Sequence, residues 1–299
     1  MKVESMKIES MTVKSAEVGC LVVKSIAVKG KLARYAHLYN VGKPVLIYLM
    51  GNLQNIEATS KLTSIFARDY DTYIIELPGM GDTEPLKANY DFVFLAECLN
   101  DITDRLFLHH HHLFAASYAT VVALEYAKIA QYKLTSQVLA AAAIEVPEHC
   151  RMATLELMHI CQTDRKAFAE KYLELLTDMT GQVKRIDVIR KAAIHQTIRS
   201  PEQHIASFIE NSLRLFCYRP ENLNSITVPT ILLTGEFDPL TTPESSRYLA
   251  DQLNNGVFDI VPGTDHLLHI EDPRTLARKA VHFMQRHRVE FEPLEKIVA

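Results

Sequence analysis

Residues 114–120 read Phe114-Ala115-Ala116-Ser117-Tyr118-Ala119-Thr120. An apolar strand ends there, a serine follows, and a helix opens at once. Small residues stand two places before the serine and two places after it. A chain that passes from strand to helix within one residue strains that residue, and small neighbours let the two elements approach. The spacing is that of G-x-S-x-G with alanine at both glycine places. A serine at an ordinary helix N-cap reads the same way locally, so its surroundings decide.

Outward from Ser117, strand and helix patterns alternate. On the N-terminal side, 32–39 reads as a strand and 44–50 as a continuous apolar run, suited to a central strand covered on both faces. A helix at 55–68, a strand at 72–77 and a helix at 92–106 lead to the short strand 112–116. On the far side come a helix at 120–130 and a strand at 137–143. This rhythm predicts an α/β fold, a mainly parallel sheet with helices on both faces. From Pro147 to about Asn224 only helical spacing appears, including 152–160, 168–179 and 205–216. The rhythm resumes with a strand at 230–234, a helix at 243–253, a strand at 257–261 and a helix at 273–288. The expected organisation is a core of residues 31–146 and 225–299, with a helical lid at 147–224 inserted before the last two strands. A lid there covers the C-terminal edge of the sheet, where open α/β sheets bind ligands.

The first thirty residues repeat with period five: MKVES, MKIES, MTVKS, AEVGC, LVVKS, IAVKG. Six short copies are too few for a solenoid with its own core. They read as an extension whose later copies serve as edge strands, with no chemistry assigned.

Composition narrows the function. The chain has 299 residues, 48% hydrophobic, as expected of a globular protein with a full core. A net charge of -4 gives the whole protein no pull toward nucleic acid or anionic membranes. No apolar run reaches the ~18 residues of a membrane span, and the N-terminus lacks a secretory core, so stable membrane insertion is not expected and the expected location is cytoplasmic. Cys20, Cys98, Cys150, Cys161 and Cys217 are scattered, without a C-x-x-C pair, and read as reduced and mostly buried.

Two further strand ends carry chemistry downstream of Ser117. Gly235-Glu236-Phe237-Asp238-Pro239-Leu240 follows the strand at 230–234, and Gly263-Thr264-Asp265-His266 follows the last strand. The order Ser…Asp…His at successive strand ends is that of a nucleophile, an orienting acid and a general base. The expected catalytic residues are therefore Ser117, Asp238 and His266. Glu145 is an alternative acid; Glu236 and Asp265 read as turn or capping residues, and His269 as packing. An oxyanion hole needs backbone N–H groups aimed at the developing charge. Tyr118 supplies one, and the loop Gly51-Asn52-Leu53 the other, Asn52 first and Leu53 next. The glycine loop 76–83 fits neither dinucleotide nor P-loop spacing and reads as a tight turn near the site mouth. In a strand, His109 to His112 alternate in direction and cannot converge on a metal; they read as a polar loop entering the serine-bearing strand.

These elements, with Ala115–Ala119, Asp238 and His266, resemble the α/β-hydrolase superfamily over residues 31–290. Met50-Gly51 in place of His-Gly, Ala116-Ser117-Tyr118 and the loop from Gly235 to Glu244 are similar to the 3-hydroxyacyl-carrier-protein acyltransferases of rhamnolipid and polyhydroxyalkanoate synthesis. Ala119-Thr120 and Asp265 depart from that pattern. The resemblance implies an α/β-hydrolase fold with an eight-stranded type of sheet and a two-step acyl transfer from an ester or thioester. It likewise implies, as the expected substrate, a small-molecule acyl ester or thioester, with an acyl carrier protein or coenzyme A as the candidate carriers. The acyl-enzyme passes its acyl group to water or a hydroxyl. No cofactor and no metal are expected. The apolar lid residues Met152, Leu155, Met158, Phe168, Leu175, Phe208, Leu215 and Phe216 suit either lid packing or an aliphatic acyl pocket. The alternative is a non-catalytic small-molecule receptor on the same scaffold. Dehalogenase or epoxide-hydrolase chemistry is excluded, because each needs a carboxylate where Ser117 stands.

Overall fold

The computed structural model describes residues 21–287 except Ile144. Its centre is an eight-stranded sheet: β1 (Val23–Val28), β2 (Lys31–Leu38), β3 (Val45–Leu49), β4 (Asp71–Glu76), β5 (His111–Ala116), β6 (Leu134–Ala140), β7 (Thr230–Gly235) and β8 (Gly256–Val261). The strands lie in the order β1-β2-β4-β3-β5-β6-β7-β8. β2 pairs antiparallel with both β1 and β4, and all other neighbours pair in parallel. The interior strands are buried almost throughout, which is why they read as unbroken apolar runs.

Helices α1 (Ser60–Phe66), α2 (Phe92–Arg105), α3 (Ala119–Ala130), α8 (Pro243–Asp251) and α10 (Pro273–Arg286) cover both faces, α1 packing on α10 and α2 on α3. α8 and α10 start as their sequences dictate: Thr242 and Asp272 cap the free N–H groups of Ser245 and Thr275, and proline follows each cap. A single turn, α9 (Leu268–Glu271), precedes α10.

The sheet begins before Lys31. The last two repeat copies form β1, and Lys29 and Gly30, both at positive φ, make the two-residue turn into β2. The first four copies and Cys20 lie outside the described residues. Among the described cysteines Cys98, Cys150 and Cys161 are buried and Cys217 is exposed, all as free thiols.

Between β6 and β7 stand four helices: α4 (Glu148–Ile160), α5 (Arg165–Leu176), α6 (Ile186–Ile198) and α7 (Glu202–Cys217). They carry a small core of their own, with Leu157, Met158, Phe168, Ile205 and Phe208 buried together and Leu175 and Phe216 packed against it. Of the two readings open for the eight apolar residues, packing within the insertion holds for Met158, Phe168, Leu175, Phe208 and Phe216. Met152 and Leu155 face solvent, and of the eight only Leu215 lines a cleft at Ser117. Among the described residues, no helix is long and apolar enough to cross a membrane.

The histidine run divides between loop and strand. His109 and His110 are exposed, whereas His111 and His112 begin β5 and are buried. His111 bonds Leu108 O and Tyr126 Oη, and His112 bonds Ser136 Oγ. Burial holds the His111 ring neutral, with its pKa down at about 3. The polar residues continue the strand because each ring finds a partner inside.

Candidate active site

The parallel register aligns the C-terminal ends of β3, β5, β6, β7 and β8 along one rim: Leu49 pairs with Ala115, Ala116 with Ala140, and Gly235 with Val261. The loop at Gly51, Ser117, and the loops bearing Asp238 and His266 all leave from that rim. Ser117 has φ 49, a left-handed conformation that costs a non-glycine residue about 1–2 kcal/mol. The turn is held by Ser117 N donating to Ala140 O at 2.8 Å and by Thr120, whose N–H and hydroxyl donate to Ser117 O at 2.9 and 2.6 Å. Ala115 and Ala119, the small flanking residues, are fully buried.

Ser117 Oγ lies 2.9 Å from His266 Nε2, and His266 Nδ1 lies 2.9 Å from Asp238 Oδ2. Asp238 is fixed from its own loop: Oδ1 accepts from the N–H groups of Leu240 and Thr241, and Oδ2 from the Thr241 hydroxyl. A carboxylate so filled takes the Nδ1 proton of His266 and leaves Nε2 free to accept from Ser117. Burial pulls the His266 pKa down, but the charge and hydrogen bond of Asp238 outweigh it, and the net shift is upward from 6.5. The structure thus brings together all three side chains singled out in the sequence. The two loops can meet because Gly235 lacks a side chain; a Cβ there would stand 2.1 Å from Asp265 O. The alternative acid Glu145 is exposed and lines a cleft beside Ser117. Asp238 is the carboxylate on His266.

Among the described residues, no hydrogen bond uses the Tyr118 or Asn52 N–H as donor. Their neighbours are already engaged. Gly51 N donates to Gln54 Oε1 at 3.0 Å, and Leu53 N to Asn52 Oδ1 at 3.2 Å. Gln54 in turn donates from Nε2 to His269 Nε2 at 2.7 Å. His269 can accept only while neutral, and burial, with His266 nearby, brings its pKa down to about 4. His269 is therefore a support for the glycine loop rather than simple packing. The signal for Gln54 was present in the sequence, since it stands three residues after Gly51 at the spacing of a side-chain cap.

Helix α7 holds this loop and the serine turn at once. Arg214, almost fully buried, donates to the Tyr118 hydroxyl at 2.7 Å, to Asn211 Oδ1 at 2.6 Å, and to the carbonyls of Leu86, Lys87 and Tyr90. Asn211 donates to Asn52 Oδ1 and to Gly79 O. The glycine loop 76–83 is thus a packed turn beside the site. Nothing in the sequence distinguished Arg214 or Asn211, because their partners come from distant loops. Asp265 binds the α5–α6 connection through Asp178 N at 2.8 Å and also accepts from Leu267 N, while Glu236 accepts from Gly263 N. Glu271, which accepts from Asp265 N, is pushed up to about 8 by burial and by the Asp265 carboxylate.

Two clefts meet at Ser117 and Ala141. The larger, about 900 Å³ with its open mouth, runs past Gly51–Gln54 to Tyr172, Leu173, Leu176, Ala193, Gln196 and Thr197. The smaller runs past Tyr118 and Thr241 to Val146, Arg151, Leu215 and Arg219.

The fold and the family comparison agree on the class: the chain belongs to the alpha/beta hydrolase family, whose profile matches residues 57–279. An uncharacterized hydrolase, YugF of Bacillus subtilis, is 20% identical over 88% of this chain and 98% of its own. The structure is similar to that of MGS-M2, an alpha/beta hydrolase enzyme from a Medee basin deep-sea metagenome library (TM-score 0.79, 16% identity, 90% of this chain and 100% of that one). It is also similar to the enol-lactonase of Burkholderia xenovorans LB400 (TM-score 0.76, 16% identity, 88% and 100%).

Proposed function

We propose that this hydrolase-family protein cleaves or transfers an acyl group from an ester or thioester through an acyl-enzyme on Ser117. The hydrogen-bonded line from Ser117 Oγ through His266 to Asp238 carries this reading. His266 Nε2 takes the hydroxyl proton as Oγ bonds to the carbonyl carbon. The oxyanion is held by the unengaged N–H groups of Tyr118 and Asn52. On collapse the alkoxide or thiolate leaves with the proton from His266. Water, or a hydroxyl acceptor, then gives its proton to His266 as it attacks the acyl-enzyme, and Ser117 is restored. The insertion α4–α7 acts as a lid, its Tyr172, Leu173 and Leu176 facing an aliphatic acyl chain in the larger cleft. A 3-hydroxyacyl chain delivered by an acyl carrier protein or coenzyme A is the candidate that the sequence resemblance names.

A fluorophosphonate probe separates this reading from a receptor on the same scaffold. Mass spectrometry of the intact protein should find one probe per chain, on the peptide bearing Ser117, and none on Ser117→Ala. A protein left unlabelled at every probe concentration is not a serine hydrolase. The support of the glycine loop gives a second expectation. Gln54→Leu should lower kcat for a p-nitrophenyl ester between about 10- and 100-fold with a smaller change in KM, because a displaced oxyanion donor is felt in the transition state. An unchanged kcat would remove Gln54 from this role.

A further inference from the structure

The smaller cleft is the anomalous half of the site. Its walls are mostly apolar, with Val121, Val146, Leu215 and Leu240, yet Arg151 stands among them. The Arg151 side chain is about three-quarters buried, 26% exposed, and its guanidinium lies over the Phe216 ring, 5.5 Å from the centroid. Its nearest carboxylate oxygen, on Glu148, is 3.9 Å away, beyond hydrogen-bond reach. Nε is buried and has no hydrogen-bond partner among the described residues. Arg219, exposed at the rim, spends Nη1 on the carbonyls of Phe216 and Tyr218 and keeps its other nitrogens unbonded among the described residues. Two carboxylates oppose these cations, Glu148 at 3.9 Å from Arg151 and Glu145 on the cleft wall, and both are exposed. Water screens an exposed charge far more than a partly buried one, so the field inside the cleft is set by Arg151. A guanidinium packed against a ring gives up part of its side-chain freedom before any ligand arrives, and its donor fork is suited to a carboxylate or phosphate. The first turn of α4, which carries Arg151, also lies near the acid loop: burial first, and then the charge of Asp238, raise the pKa of Cys150.

We propose that the smaller cleft is an anion subsite: the substrate is an ester or thioester bearing a carboxylate or phosphate on one side of the scissile carbonyl. That side enters toward Arg151 and Arg219, and the uncharged side occupies the cleft lined by Leu173, Leu176, Gln196 and Thr197. The assignment of the scissile carbonyl rests on the reaction proposed above; the anion subsite does not.

Calorimetric titration of the Ser117→Ala protein reads the subsite without turnover. The ligands are monomethyl glutarate, its neutral isostere methyl 4-carbamoylbutanoate, and methyl 3-(phosphonooxy)propanoate. At least one anion should bind about 10-fold or more tightly than the amide, as one charge-assisted pair at a partly buried site gives. The stronger of the two identifies the source of the charge. Added salt should weaken the anion and leave the amide unchanged. Arg151→Gln should bring the ratio of affinities toward one, and the salt dependence of the unaltered site gives the same answer if that variant is unstable. Equal affinities for all three ligands, or a preference for the amide, would overturn the proposal. Fluorophosphonate labelling of Ser117 without any anion preference sinks the subsite alone; anion preference without labelling sinks the reaction alone.

Discussion

An Asp238→Asn protein should turn over a p-nitrophenyl ester about 10⁴-fold more slowly than the parent. The amide of asparagine donates where the carboxylate accepts, so the His266 proton moves to Nε2 and Ser117 Oγ loses its acceptor. The pH profile should move as well. In the parent, turnover needs neutral His266, and Asp238 holds that ring's pKa above 6.5 against burial. Activity should therefore rise with pH along a limb centred above 6.5 and fall away in acid. Without the carboxylate, burial is opposed only by the weaker pull of the Asp265 charge, and the limb should shift toward lower pH. Steady-state kinetics of both proteins across the acid range read both effects. A loss smaller than about tenfold with an unmoved limb would separate Asp238 from the chemistry.

The largest effect on stability is expected at Arg214. Arg214→Met keeps much of the volume but strips partners from the Tyr118 hydroxyl, Asn211 Oδ1 and three carbonyls, all at or near a buried position. Orphaned buried polar groups of this kind cost about 3–5 kcal/mol together, a large share of the roughly 5–15 kcal/mol that holds a domain folded. Urea unfolding should show a loss in that range. Surviving protein should also show reduced kcat, since Tyr118 loses its tie to α7 and Asn211, which holds Asn52, loses the partner of its own carbonyl oxygen. A loss under about 1 kcal/mol would mean that water replaces the guanidinium without strain.

What the sequence disclosed follows from how local each signal was. The central strands were visible because burial on both faces demands unbroken apolar runs, and Ser117, Asp238 and His266 were visible because each follows the end of a strand. The residues that hold them in place were harder. Thr241 bonds Asp238 from three residues away and sits inside the loop from Gly235 to Glu244, but a threonine in a loop has many uses. Arg214 and Asn211 look like any polar pair on an amphipathic helix, because Leu86, Tyr90, Tyr118 and Asn52 reach them only in three dimensions. The apolar residues of 147–224 left packing and pocket both open for the opposite reason. Helical spacing shows that a face is buried, and here Phe168 and Phe208 are buried against each other instead of against a ligand.

Two of the ties that moor the inserted helices end beside the catalytic candidates, Arg214 on the residue after Ser117 and Asp178 on the residue before His266. Anyone wishing to retarget this hydrolase-family protein by grafting the inserted helices of another would inherit a constraint from those moorings. A donor segment that lacks both partners would leave the turns at Ser117 and His266 unbraced, so a successful chimera must transplant the anchors along with the helices.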